Sequence, residues 1–287
     1  MPHFETAPGH EAHIYSRKGI PFAEVSGRML FLDLTVPQGD VAPPLVVMIH
    51  GGGWRGGSRN DQTSEAMAAW LVSHGYATAQ IDYRKSSEAI FPAQIFDCKG
   101  AVRWLRAHAR QYGYDGGRVA ALGDSAGGHL SVLLGTSAGV EALEGNVGGN
   151  AEQSSRVQAI VDLFGPTDFI QRTRDQPQET DQPTGKVYQL LGGPVHEKLE
   201  LAKLASGLYH VSHDAPPLLI LHGTEDYTVL LNQSERLLDA YRRHGLQATI
   251  HLIEGAGHGD KSIYQPETFR WITDFLDVNL RQEASCH

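Results

Sequence analysis

Residues 123–127 read Gly-Asp-Ser-Ala-Gly, with Ser125 held between glycines immediately after the apolar run 118–122 and immediately before a helical pattern. That strand-turn-helix setting is the nucleophile elbow, a tight strained turn that lifts a serine hydroxyl above a sheet. The glycines are needed because side chains at 123 and 127 would collide with the neighbouring strand and helix. The helix N-terminus beneath the hydroxyl favours developing negative charge. A serine so placed can attack an acyl carbon once a base removes its proton.

The partners expected of such a serine follow it in the order acid, then histidine. After the run 217–221 comes His222-Gly223-Thr224-Glu225-Asp226, and after the run 248–253 comes Glu254-Gly255-Ala256-Gly257-His258-Gly259. An acid and a histidine on loops after consecutive strands can meet above Ser125. His258 would take the serine proton, and Asp226 would fix its tautomer and stabilise the imidazolium. Glu225 is the rival acid, and Asp214 a weaker one because it precedes its strand. Among the chain's 15 histidines, His222, His244 and His251 fall in strand or helix patterns or at a strand end, and His3, His10 and His13 in the polar N-terminal stretch.

Acyl transfer also needs amide donors where the carbonyl oxygen gains charge. His50-Gly51-Gly52-Gly53-Trp54 follows the run 45–49 and supplies them. Gly52 and Gly53 are the donors expected from this loop, and the Ala126 amide beside the nucleophile is the third. The plainer reading of these residues is a glycine turn. His50 reads as a structural tether pointing away from the serine. Trp54 is expected to border the substrate and shorten its pocket, giving an acetyl-to-butyryl optimum; the alternative is an indole packed into the scaffold.

These loops need elements to hold them. Residues 28–36 alternate apolar and polar, as a half-buried antiparallel strand does, whereas 45–49, 76–81, 118–122, 157–164, 217–221 and 248–253 are short apolar runs. Such runs suit strands of a parallel sheet buried on both faces. Between them, 62–74, 93–111, 126–137, 232–244 and 264–280 carry apolar residues at helical spacing. The alternation predicts an open, mostly parallel α/β sheet with helices on both faces and its site beyond the carboxyl ends of the strands. Residues 168–215 break the rhythm with the polar, Pro-bearing stretch QRTRDQPQETDQPTG. They are expected to form a lid or cap, the alternative being a surface loop.

Composition excludes several classes. The chain has 287 residues, 41% hydrophobic and 20% charged, enough for one sizeable core. A net charge of −9 without a basic stripe argues against nucleic acid as a partner. No apolar run reaches the roughly 20 residues a membrane span requires. The N-terminal residues lack the basic-then-apolar pattern of a secretion signal, so a cytoplasmic protein is the expectation. Two cysteines, Cys98 and Cys286, cannot build a disulfide framework or a zinc site; Cys98 reads as a small buried hydrophobe, with a Cys98–Cys286 bridge the less favoured alternative. No cluster has metal-ligand spacing, so neither metal nor cofactor is expected.

Taken together, the sequence resembles the α/β-hydrolase esterases of the acetyl xylan/feruloyl esterase and carboxylesterase group, and more distantly the hormone-sensitive-lipase-like esterases. The resemblance spans nearly the whole chain, through HGGGW at 50–54, IDYR at 81–84, FPAQIFDCKGAVRWLR at 91–106, GDSAGGHL at 123–130, FGPTDF at 164–169, LHGTEDYTV at 221–229 and GAGHG at 255–259. It implies the same roles for Ser125, Asp226, His258, Gly52, Gly53 and Ala126. It also exposes two departures. The N-terminal helical cap of the hormone-sensitive-lipase group is expected to be absent or vestigial, and Leu230 stands where relatives usually carry Pro. The expected function is a serine carboxylesterase acting on a small-molecule, short-acyl ester through an acyl-enzyme. A carbohydrate esterase (acetyl xylan or feruloyl), an arylformamidase-like amidohydrolase and, outside catalysis, a small-molecule receptor on a hydrolase fold are the alternatives.

Overall fold

The computed structural model describes residues 13–281; His3, His10 and Cys286 lie outside them. Eight strands form one sheet: β1 (Ile14–Val25), β2 (Arg28–Pro37), β3 (Pro44–Ile49), β4 (Ala77–Ile81), β5 (Asp115–Asp124), β6 (Ala159–Leu163), β7 (Leu218–Gly223) and β8 (Ala248–Ile253). Their spatial order is β1-β2-β4-β3-β5-β6-β7-β8. β1 and β2 pair antiparallel at one edge, β2 joins β4 antiparallel, and every pairing beyond that is parallel.

The apolar runs are buried on both faces, as their lack of alternation predicts. In β3, Leu45, Val47 and Ile49 join one hydrophobic cluster while Val46 and Met48 join another; in β7, Leu218 and Ile220 divide from Leu219 and Leu221 in the same way. The first face is covered by α2 (Ala93–Tyr112), α3 (Ala126–Thr136) and α9 (Asn232–Arg243), with Ile95, Cys98, Leu130 and Leu237 inward. The second is covered by α1 (Gln62–Ser73) and α10 (Pro266–Leu280), through Met67, Leu71, Ile272 and Leu276. Each large aliphatic side chain buried this way contributes about 1.5–3 kcal/mol. Cys98 is fully buried in α2, as read. β8 departs from the two-faced expectation: as an edge strand it leaves Thr249 and Leu252 exposed.

Short helix α4 (Glu141–Glu144) follows α3, and residues 168–215 are folded instead of looped. They form α5 (Phe169–Asp175), α6 (Pro177–Thr180), α7 (Lys186–Leu191) and α8 (Leu199–Ala205). Asp168 starts α5 by accepting from the Ile170 and Gln171 amides, satisfying donors that the first turn leaves free. Phe169, Val187, Leu190, Leu191, Ala202 and Ala205 are fully buried in the cluster that contains α2 and α3. Among the described residues no helix is long and apolar enough to cross a membrane.

Candidate active site

Ser125, Asp226 and His258 each follow the carboxyl end of a parallel strand: β5, β7 and β8. The structure brings all three together. His258 Nε2 lies 2.9 Å from Ser125 Oγ, and His258 Nδ1 lies 2.6 Å from Asp226 Oδ2. With Nδ1–H donating to the carboxylate, Nε2 is left to accept the serine proton. Asp226 is buried, and its second oxygen accepts from the Thr228 and Val229 amides at 2.9 Å each. Burial alone would raise this carboxyl, but hydrogen bonds from His222 and His258 outweigh it and hold the group well below the usual carboxylate range. The rival, Glu225, is exposed, and His258 Nδ1 meets Asp226 instead.

Ser125 has φ +53° and ψ −113°, a strained setting for a residue with a Cβ, costing about 1–3 kcal/mol. Two backbone bonds hold it: the Ser125 amide donates to Leu163 O at 2.8 Å, and the His129 amide donates to Ser125 O at 3.0 Å. The flanking glycines are required by contact. A Cβ on Gly127 would overlap the Ile49 carbonyl oxygen, and one on Gly123 would meet that same oxygen at 2.6 Å.

The 50–57 loop is anchored from below. His50 Nδ1–H donates to Gly51 O at 2.6 Å, and Tyr83 Oη–H donates to His50 O at 3.0 Å, with Gly51 O 3.3 Å away. In a trans peptide the carbonyl and the following N–H point in opposite directions, so a pinned Gly51 oxygen turns the Gly52 N–H away from His50. The next peptide repeats this: Gly52 O accepts from the Gly56 amide at 3.0 Å, which turns out the Gly53 N–H. Neither amide, nor that of Ala126, has an acceptor among the described residues. Gly52 has φ +106° and a Cβ there would meet the Gly56–Gly57 backbone, so this loop admits only glycine at that position. The Gly51 amide in turn donates to Asp124 Oδ1 at 3.0 Å, tying the loop to the elbow. Burial raises the Asp124 carboxyl to about 7, and the nearby Asp61 charge adds to this.

A family model, BD-FAE, matches residues 32–241. The chain belongs to the BD-FAE family. It is 31% identical to Esterase LipC of Mycobacterium tuberculosis over 75% of this chain and 53% of that one. It is 33% identical to the probable carboxylic ester hydrolase LipM of the same organism, over 72% of this chain and 47% of that one. The chain thus spans about half the length of the curated relatives it matches. Among solved structures it resembles a truncated carbohydrate esterase from gut microbiota, with TM-score 0.84 and 29% identity over 96% of this chain and all of that one. It also shares the fold of the Est2 esterase of Thermogutta terrifontis, with TM-score 0.75 and 24% identity over 95% of this chain and 97% of that one. The fold is therefore that of the α/β-hydrolase esterases, as the motifs implied.

Against this BD-FAE framework one expected role is corrected. Trp54 is only 2% exposed, and its indole packs edge-on against His129 and Phe169, at 5.1 and 5.6 Å between ring centroids. A buried indole needs an acceptor for its N–H. Trp54 Nε1 finds one 3.1 Å away in His129 Nδ1, while His129 Nε2 donates to Ala205 O at 2.7 Å. Burial pushes His129 down to about 4, which keeps it neutral and able to bridge. Trp54 is thus a scaffold residue joining the glycine loop to α3 and α8, not the wall of a substrate pocket.

Other contributors escaped the sequence reading. His222 Nε2 lies 2.8 Å from Val229 O and 3.4 Å from Asp226 Oδ2, while its Nδ1 accepts from Ser234 Oγ. From α5, Arg172 donates to Thr228 O at 2.8 Å, and Gln176, just beyond that helix, to Tyr227 O at 3.0 Å. The insertion therefore braces the acid loop. Lys85 Nζ lies 2.6 Å from His50 Nε2 and 4.0 Å from the Tyr83 ring centroid. Burial first, and Lys85 second, push His50 down to about 3, so the tether is a neutral imidazole. The polar stretch 171–185 and a lysine directly after IDYR were the available signals.

Proposed function

We propose that this chain is a serine carboxylesterase that cleaves small, short-acyl esters through an acyl-enzyme on Ser125. The observation that carries the reading is the unbroken relay from Ser125 Oγ through His258 to a buried, ionised Asp226. In this account His258 takes the hydroxyl proton as Ser125 Oγ attacks the ester carbon. The oxygen that gains charge is met by the amides of Gly52, Gly53 and Ala126. His258 then passes its proton to the departing alkoxide, so that the alcohol leaves. Water, activated by the same imidazole, attacks the acyl-serine; the acid is released and Ser125 recovers its proton. Residues 168–215 are the cap over this site, and no step calls for a metal or cofactor.

Carbohydrate esters are the second reading. It is supported by the open cleft beside Gly52, bordered by Arg55, Ser86, Ser87 and Gln189, and by likeness over 96% of this chain to a structure described as a carbohydrate esterase. A hydrolysis panel of p-nitrophenyl esters of graded length, acetylated xylan, methyl ferulate and N-formylkynurenine tests both. Turnover of p-nitrophenyl acetate and butyrate is expected; acylamide cleavage without ester cleavage would overturn the esterase reading.

A further inference from the structure

Beside the glycine loop lies an open cleft of about 670 Å³, bordered by Gly52, Arg55, Ser86, Ser87, Tyr188 and Gln189. Its walls are the 50–57 loop, the segment after β4 and helix α7 of the insertion. The chain as a whole carries a net charge of −9, yet no carboxylate lines this cleft. Its one lining charge is the exposed guanidinium of Arg55.

The nearby acids are committed elsewhere. Glu88 pairs with Arg28 at 2.8 Å and accepts from the Lys85 amide at 2.7 Å; Glu179 faces Lys186 at 3.9 Å. Arg55 itself has only neutral acceptors, Thr184 O and Gln189 Oε1, both at the long distance of 3.4 Å. Among the described residues no carboxylate lies within ion-pair distance of it. Arginine's planar fork is matched by a carboxylate, which it can bind through two parallel hydrogen bonds. The other lining groups have a different use. Two serine hydroxyls and a carboxamide suit a polyhydroxylated ring, and the Tyr188 ring offers an apolar surface for its C–H face.

We propose that this cleft is a subsite for an acidic saccharide, with Arg55 pairing the carboxylate of a uronate unit and Ser86, Ser87, Gln189 and Tyr188 holding its ring. Gly52 belongs both to the cleft and to the loop of the proposed oxyanion donors, so a uronate seated here lies on the approach to Ser125. The proposal rests on the esterase reading only for what the bound sugar would be joined to. The binding itself can be tested without turnover.

Isothermal titration of the full chain with methyl glucopyranosiduronate and with methyl glucopyranoside compares ligands that differ at one carbon, carboxylate against hydroxymethyl. The uronate should bind about tenfold more tightly, the worth of a charged hydrogen-bonded pair in a half-open cleft. That ratio should shrink as sodium chloride is raised. Arg55→Gln should bring the ratio to about one, Arg55→Lys should keep part of it, and Tyr188→Ala should weaken both sugars together. Equal binding of the two sugars by the wild type, no measurable binding of the uronate, or a preference that survives Arg55→Gln would overturn the subsite. Turnover of p-nitrophenyl acetate on the same samples judges the esterase reading separately. Uronate preference with no ester turnover sinks that reading and leaves the subsite standing.

Discussion

Replacing Trp54 by Ala separates a residue that sets substrate length from one that holds the scaffold. The indole is buried against His129 and Phe169, and its N–H bonds His129 Nδ1 at 3.1 Å. Truncating a buried aromatic to Ala costs about 3–5 kcal/mol. Leaving His129 Nδ1 without its donor adds about 1–3 kcal/mol. Unfolding entropy of about 2.1 cal/mol/K per residue over 287 residues comes to about 0.6 kcal/mol/K, so Tm should fall by about 7–13 °C. Trp54→Phe keeps a ring but loses the N–H, and should cost only about 2–5 °C. Scanning calorimetry gives both shifts, and kcat/KM along p-nitrophenyl acetate to decanoate gives the acyl profile. Both variants should lower the whole profile together and leave its optimum in place. A Trp54→Ala protein that melts within about 1 °C of wild type and shifts its optimum to longer chains would refute the scaffold assignment.

Asp226→Asn should lower kcat by about 10⁴, because the amide favours the wrong His258 tautomer, whereas exposed Glu225→Gln should change it less than twofold. Reversed effects in steady-state kinetics would move the acid. Lys85→Met leaves His50 Nε2 without its donor, so kcat should fall about tenfold at unchanged KM, with Lys85→Arg recovering much of it; a change confined to KM would assign Lys85 to substrate contact instead. Burial holds Lys85 down at about 8, below its unfolded value of 10.5. The unfolded chain therefore binds the extra proton between these values, so this residue makes stability rise with pH across roughly pH 8–10.5. Lys85→Met should remove that rise in urea midpoints measured over the same window.

The parallel strands and their helices were legible because burial on both faces leaves continuous apolar runs such as LVVMI and PLLIL. β1 was not, and it reads as a polar stretch for a structural reason. It is an edge strand with two register shifts, and most of Ile14–Gly19 faces solvent. The relay residues were legible because glycines mark tight turns at the ends of strands. Trp54 was misread since position in the chain says it follows the glycine loop, while only the fold shows an indole turned inward toward His129. The packing of the polar stretch 171–185 was not legible for a different reason. Arg172, Gln176 and Thr180 are buried there, and the first two spend their polarity on carbonyls of the acid loop.

The central claim, a single activated serine, is tested most directly by the mass of the intact chain after reaction with an organophosphate, followed by peptide mapping. One adduct per chain is expected, on Ser125, with ester hydrolysis lost in proportion to labelling. A folded Ser125→Ala protein should take no label and retain less than about 10⁻⁴ of wild-type kcat. An adduct on another residue, or a folded Ser125→Ala protein keeping more than about a tenth of wild-type activity, would contradict it.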